Sequence, residues 1–223
     1  MGYRTLLLGK LVLFLAISCS TQSAQAATIF SLRSQFEAVL GSIVIDDYSD
    51  PGYSGIMTDA FISGVVGETI YQSTGFPNFH QIPNEYYCSG CNGSVLFTFT
   101  STSVSAGGSV FGVGFELVGF ENTKGNTAFV TFGDATTANF ALPDASPTTG
   151  DLFWGITDPL GIVSIHIGLP DGGIVSDNSI QRLALDNLTV GTAPSPATAL
   201  LLGPVFAVLF RFRAFSAQGA PIS

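Results

Sequence analysis

Basic side chains are scarce in this 223-residue chain. Lysine stands only at positions 10 and 124, and Lys and Arg together number seven against sixteen Asp and Glu, a formal net charge of −9. Such a surface repels phosphate backbones, which argues against nucleic-acid binding. Charge of either sign is thin, at 10% of residues, and the Ala-Leu-Glu-Lys stretches that favour surface helices are missing. Only three cysteines and two histidines are present. A zinc site with four ligands would have to use both His80 and His166 beside Cys88 and Cys91. Neither a Gly-x-Ser-x-Gly elbow nor a His-Glu-x-x-His pair occurs, so two familiar hydrolase signatures are absent. There is no internal repeat or low-complexity linker, and the length suits one domain with targeting segments.

The apolar residues that are present gather first at the two ends. Residues 1–26 read as a secretory signal peptide: Arg4 supplies the basic start, and the run Leu11 to Ile17, with Leu6-Leu7-Leu8 before Lys10, supplies the apolar helix. Ala24-Gln25-Ala26 places small residues at the −3 and −1 positions, so cleavage is expected between Ala26 and Ala27. Lipoprotein processing at Cys19 ranks second, because Ala16-Ile17-Ser18 lacks the usual upstream Leu. Loss of the two ends would leave three basic residues, Arg33, Lys124 and Arg182, against all sixteen acids.

At the other end, Pro194-Ser195-Pro196 precedes an apolar run from Ala199 to Phe210, and Arg211-Phe212-Arg213 follows it. An extended Pro motif, an apolar helix and a basic stop resemble the PEP-CTERM sorting signal of Gram-negative bacteria. The resemblance implies an exosortase, a membrane-embedded cysteine protease, as processing partner. It also implies transient anchoring in the inner membrane with the arginines on the cytoplasmic side. Ser195 departs from the family's Glu, Pro204 interrupts the run, and the run is short against the ~20 residues of a spanning helix. A plain hydrophobic tail anchor is the alternative reading of residues 194–223.

Between the ends, residues 27–193 are rich in Gly, Thr, Ser, Phe and Val, which favours strands and turns. One short helix is expected over 31–41, with Ser31 or Ser34 as cap, Leu32, Phe36, Val39 and Leu40 on one face, and Gly41 at its end. Strands follow at 43–48, 95–100, 111–117, 128–132, 152–156, 162–167 and 183–190. They are separated by turn sequences such as Gly133-Asp134, Pro143-Asp144 and Asp158-Pro159. In the third of them Phe111, Val113, Phe115 and Leu117 line one face, and Gly112, Gly114 and Glu116 the other. The pattern predicts an all-β fold, a two-sheet β-sandwich of jelly-roll type with one short N-terminal helix. The motifs Ile45-Asp46-Asp47-Tyr48, Phe111-Gly112-Val113-Gly114-Phe115, Phe153-Trp154-Gly155-Ile156-Thr157 and Asp186-Asn187-Leu188-Thr189-Val190 resemble the lectin-like extracellular domains that often precede PEP-CTERM tails.

Four sets of residues are candidates for function or stabilisation. Cys88 and Cys91 are the only cysteines left after signal removal, and in an oxidising compartment they are expected to form a disulfide across Ser89-Gly90. Tyr86, Tyr87 and Phe79 lie beside that loop, and flat rings there could stack on pyranose faces or plug the end of the sandwich. Trp154 reads as core. Asp46, Asp47 and Asp186 could share a structural calcium if the first and last long strands pair, although no calcium-loop spacing is present. His166 alternates with Ser164 on one strand face and could reach solvent. The expected function is that of an exported, non-catalytic cell-surface or matrix protein with weak affinity for exopolysaccharide or another glycan. A secreted carbohydrate-active hydrolase and a purely structural envelope protein are the alternatives.

Overall fold

The computed structural model describes residues 26–89, 93–119, 125–168 and 183–195. Strand β1 (Thr28–Phe30) leads into the one-turn helix α1 (Arg33–Glu37) and β2 (Ile43–Asp46). Then come β3 (Ile56–Met57), helix α2 (Asp59–Val65), β4 (Ile70–Ser73), β5 (His80–Gln81), a 3-10 turn over Pro83–Glu85 and β6 (Tyr87–Cys88). The remaining strands are β7 (Val95–Thr98), β8 (Val110–Leu117), β9 (Thr127–Phe132), β10 (Thr137–Ala141), β11 (Leu152–Gly168) and β12 (Ala184–Gly191). The fold is all-β. Among the described residues every strand pairing is antiparallel, and the twelve strands join one curled sheet. Residues 1–25 of the expected signal peptide 1–26, and residues 196–223 of the C-terminal segment 194–223, lie outside the described residues.

The curl is organised by β11. Its first half pairs with β8 on one side and β1 on the other, and its second half with β9 and β7. Asp158-Pro159-Leu160-Gly161, expected to be a turn between two strands, instead bends one strand of 17 residues. Pro159 has no N–H for a ladder, the Asp158 side chain accepts from the Leu160 N–H at 2.8 Å, and Gly161 takes φ +79°. These residues change the strand's direction without reversing it. A register shift between Ile162 and Ser164 then keeps Ile162, Ile165 and Ile167 all in the core. In the main core cluster Val113, Phe115, Leu117, Trp154, Leu185 and Leu188 meet Val95, Phe97, Phe99, Val130, Phe132 and Ile165. Trp154, as expected, is core, with its ring centroid 5.3 Å from that of Phe115.

The helices depart from expectation in instructive ways. α1 is shorter than the periodic stretch suggests, its N-cap is Leu32, and no side chain caps it. Packing holds it instead. Phe36, fully buried, and Leu40 press onto the outer face of the sheet where Gly112, Gly114, Gly155 and Gly191 leave the backbone bare. A methyl group at Gly114 would sit 2.7 Å from Phe153 Cζ and 2.9 Å from Phe36 Cε1. The glycine side of β8 is thus the seat of α1. The second helix, α2, was not evident from the pattern, because its run Asp59–Val65 is short and largely exposed. Thr58 caps it by accepting the Phe61 N–H at 3.3 Å.

Gly114→Ala should cost about 1–3 kcal/mol in urea denaturation, as overpacking does. Gly64→Ala, in the exposed face of α2 with nothing within 4 Å of the added methyl, should add about 0.5–1 kcal/mol. Equal effects at the two sites would show that α1 is not seated on the glycine floor.

Candidate functional site

Two polar assemblies stand out: one buried at an end of the core, the other open on the outer face of the sheet. The buried one centres on Asp46. This residue closes β2 opposite Leu188 and points into the core, where it is 6% exposed. Its carboxylate accepts the Tyr53 hydroxyl at 2.5 Å, the Tyr71 hydroxyl at 2.8 Å and the Tyr48 N–H at 3.1 Å. Burial pushes its carboxyl above the ordinary range, and the three hydrogen bonds pull it part of the way back. Tyr48 takes φ +56°, a left-handed conformation that costs a bulky residue about 1–2 kcal/mol. That geometry turns its N–H back onto Asp46 and leaves its ring stacked against Tyr87, centroids 5.7 Å apart.

A second chain of hydrogen bonds continues from Tyr87. Nδ1 of the fully buried His80 lies 2.8 Å from the Tyr87 hydroxyl, and Nε2 lies 2.6 Å from Asp59 Oδ1. A carboxylate only accepts, so Nε2 carries the proton, and Nδ1 accepts from Tyr87. Burial lowers the His80 value, consistent with a neutral ring. The phenols of Tyr48, Tyr71 and Tyr87 are raised by burial and stay protonated, those of Tyr71 and Tyr87 serving as donors.

The sugar-stacking expectation is corrected here. Tyr87 is fully buried and Tyr86 is 7% exposed, so neither presents a ring face to solvent. Tyr87, in β6 where it pairs with β12, packs into the main core, and Tyr86, just before β6, packs with Val118 and Ala184. Phe79 is half-buried, 6.4 Å from Phe76 between ring centroids. Cys88 is buried in β6, and Cys91 lies outside the described residues, as do Pro196, Arg211 and Arg213. Ala26, Ala27, Pro194 and Ser195 fall at the two margins of the described domain.

The calcium expectation required β2 and β12 to pair, and they do. The three acids nevertheless do not all converge: Asp46 turns into the core, and Asp47 is near enough to Asp186 on the outer side to raise its carboxyl. A bulge between Asp186 and Thr189, with Asn187 at φ +53°, shifts the side-chain alternation along β12. Leu188 therefore shares the core face with Asp46, and Asp186 emerges on the outer face. Asp47 is exposed and bonded to Ser49 Oγ at 2.7 Å. Among the described residues no group of three or more His, Cys, Asp or Glu side chains is placed to hold a metal ion.

What the bulge creates instead is the open assembly. Asp186 faces Glu116 across the strand pair. Arg33, from α1, reaches Glu116 Oε1 at 2.9 Å, Thr189 Oγ1 at 3.2 Å and the Asn187 carbonyl at 3.3 Å, and its guanidinium lies 5.4 Å from the Phe153 ring centroid. Asn187 Nδ2 donates to Glu116 Oε2 at 2.9 Å. Beside this network lies a shallow cleft of about 390 Å³ lined by Asn84, Glu85, Tyr86, Val118, Asp151 and Asp186. Tyr86 and Val118 supply its apolar lining and pack beneath it with Ala184. Asn84 and Glu85 both adopt positive φ, at 54° and 62°, a strain concentrated on the rim of the cleft. Asp151 Oδ1 accepts the Gly119 N–H at 2.7 Å. Asp186 is pushed up to about 6, first by burial and further by Glu116, with Arg33 opposing. Tyr86 and Asp186, singled out for different reasons in the sequence, meet in this cleft. Asn84, Glu85 and Asp151 carried no signal there, because only the pairing of β6, β8 and β12 brings them together.

Compared with known proteins, the chain matches no family model, no curated protein and no solved structure.

Two measurements test these assignments. Tyr71→Phe removes one of three donors from a buried carboxylate and should cost about 1–3 kcal/mol in denaturant melts; a loss below about 0.5 kcal/mol would mean Asp46 does not depend on it. For Asp186 the folded value is raised. Its stabilising contribution is complete below the ordinary 3.8 and is lost as pH rises through about 6. His80 is lowered and acts oppositely, losing stability as pH falls below 6.5. Asp186→Asn should therefore lose less stability than the wild type between about pH 4 and pH 7, by on the order of 1 kcal/mol for a group partly screened by solvent. Identical pH profiles would show that Asp186 titrates as a free carboxylate.

Proposed function

We propose that this chain is an exported cell-surface or extracellular-matrix protein whose β domain binds a glycan weakly and without catalysis. On this reading the leader 1–26 is removed before Ala27, and residues 27–193 form a jelly-roll-like sandwich whose two layers are wings of one sheet joined through β11. Residues 194–223 hold the protein in the inner membrane until an exosortase-type protease acts near Pro194–Pro196. Cys88 and Cys91 form a disulfide outside the cytoplasm.

The observation that carries the binding reading is the cleft at Tyr86 and Asp186. Its carboxylates and the Asn84 amide offer acceptors and donors for sugar hydroxyls above an apolar floor, the combination by which small-ligand sites fix orientation. Its shallowness fits weak affinity. The hydrolase reading has one point in its favour: Asp186, raised to about 6, stands opposite Glu116, and a neutral acid beside a carboxylate is what glycoside cleavage uses.

A panel of soluble oligosaccharides titrated against the full chain separates the readings. Saturable binding that Glu85→Gln and Asp186→Asn each weaken about tenfold, one lost charge-assisted hydrogen bond, with no reducing ends released, is expected. Release of reducing ends that Asp186→Asn abolishes would establish hydrolysis instead. Absence of any saturable binding would leave a structural role. Intact mass from hosts with and without an exosortase checks the ends: a product spanning Ala27 to the Pro194–Pro196 region only in the first host is expected.

A further inference from the structure

The outer face of the sheet's other wing, remote in register from the cleft, is built to a different plan. Five strands lie side by side in the order β10, β9, β11, β7, β4, and their outward residues fall into straight cross-strand rows. One row runs Asn139, Phe129, His166, Leu96, Gln72. The next runs Thr137, Thr131, Ser164, Thr98, Ile70. Their neighbours along each strand, among them Ala138, Val130, Ile165, Phe97 and Tyr71, point inward to the core or pack against it.

Three properties of this face bear on what it could hold. Phe129 and His166 lie side by side with ring centroids 5.7 Å apart and planes 30° from parallel. The imidazole is fixed by Thr74, whose Oγ1 is 2.9 Å from Nε2. Primary amides stand at both ends of the aromatic row, and four hydroxyls line the row beside it. The chain carries sixteen acidic residues, yet none occupies these ten positions. Phe129, His166 and Leu96 are half-buried rather than covered, and the edge residues Thr137, Asn139, Gln72 and Ile70 are exposed. At ~4.8 Å between strands the rows span ~19 Å.

We propose that this face is a second binding surface, for an uncharged polysaccharide chain lying across the strands. The absence of charge selects the partner. A cationic polymer would settle on the acidic surface elsewhere, and an anionic one would be repelled by the molecule as a whole. A neutral glycan loses no ionic solvation on a charge-free strip. Its C–H faces pack on Phe129 and His166, and its hydroxyls exchange hydrogen bonds with the threonines, Ser164 and the terminal amides. The face is independent of the cleft: it shares no residue with it and requires neither Asp186 nor Glu85.

The test uses the full chain in affinity electrophoresis through gels containing hydroxyethyl cellulose, with polygalacturonate as the anionic comparison and microcrystalline cellulose for a pull-down. Retention by the neutral polymers, and not by polygalacturonate, is expected. Phe129→Ala should weaken it about tenfold, the worth of one stacked ring. Thr131→Glu, which places a charge mid-face without deleting packing, should weaken it at least as much, and circular dichroism checks that both variants remain folded. Combined with Glu85→Gln or Asp186→Asn, which alter the cleft, Phe129→Ala should still weaken retention by the same factor. The proposal is overturned if neutral polymers do not retain the protein, if retention is lost only in the cleft variants, or if Thr131→Glu retains fully. It is also overturned if light scattering shows that the face variants convert a dimer to a monomer while retention stays intact, because the face would then be a contact between copies.

Discussion

A carboxylate cannot be taken out of water without donors to meet it, and Asp46 is the place where this fold accepts that condition. Its partners come from different parts of the chain: Tyr48 and Tyr53 from the segment after β2, and Tyr71 from β4, on the opposite wing of the sheet. Each donor is itself held by aromatic packing, Tyr71 against Phe97 and Tyr87, and Tyr48 against Tyr53 and Tyr87. Removing any one leaves a buried charge short of a partner, which costs more than the hydrogen bond itself contributes. The network therefore fixes the position of β2, and with it the pairing of β2 to β12. The bulge at Asn187 that turns Asp186 outward lies next to it, in the pairing of β12 with β8.

The open site depends on a second condition, this one of shape. The glycines of β8, β11 and β12 let Phe36 approach the backbone closely, which seats α1. From that seat Arg33 reaches Glu116, Thr189 and the Asn187 carbonyl. One ion pair at a half-exposed position contributes little to stability. Its larger effect is electrostatic: it offsets part of the repulsion between Glu116 and Asp186. The cleft is thereby an acidic surface with one cationic anchor, and its protonation is set by packing some residues away.

The sequence was informative where a single physical pattern governed the outcome. Alternation in Phe111–Leu117 gave both the strand and its buried face, and Trp154 was core because its neighbours alternate the same way. The glycines opposite were visible, but their purpose was not, since only the partner helix explains them. Asp158-Pro159 was misread because turn chemistry reports a change of direction and not its angle. Asp46 and Asp186 could be grouped on the sequence, yet one bulge put them on opposite faces, and a bulge has no strong signature when Asn supplies the positive φ. Tyr86 and Tyr87 looked alike as adjacent aromatics. Pairing with β12 placed Tyr87 in the core as a hydrogen-bond donor, and Tyr86, just before β6, packs with Val118 and Ala184 beneath the cleft.

The long bent strand has a mechanical meaning. Because β11 contributes hydrogen bonds to β1 and β8 at one end and to β7 and β9 at the other, the two wings of the sheet have no seam along which to separate. A pull that opened one wing would have to strip a strand that also closes the other. The domain should consequently yield under tension in a single step, at one force, instead of peeling apart in stages. For a protein exposed to shear, that converts a local contact into the strength of the whole.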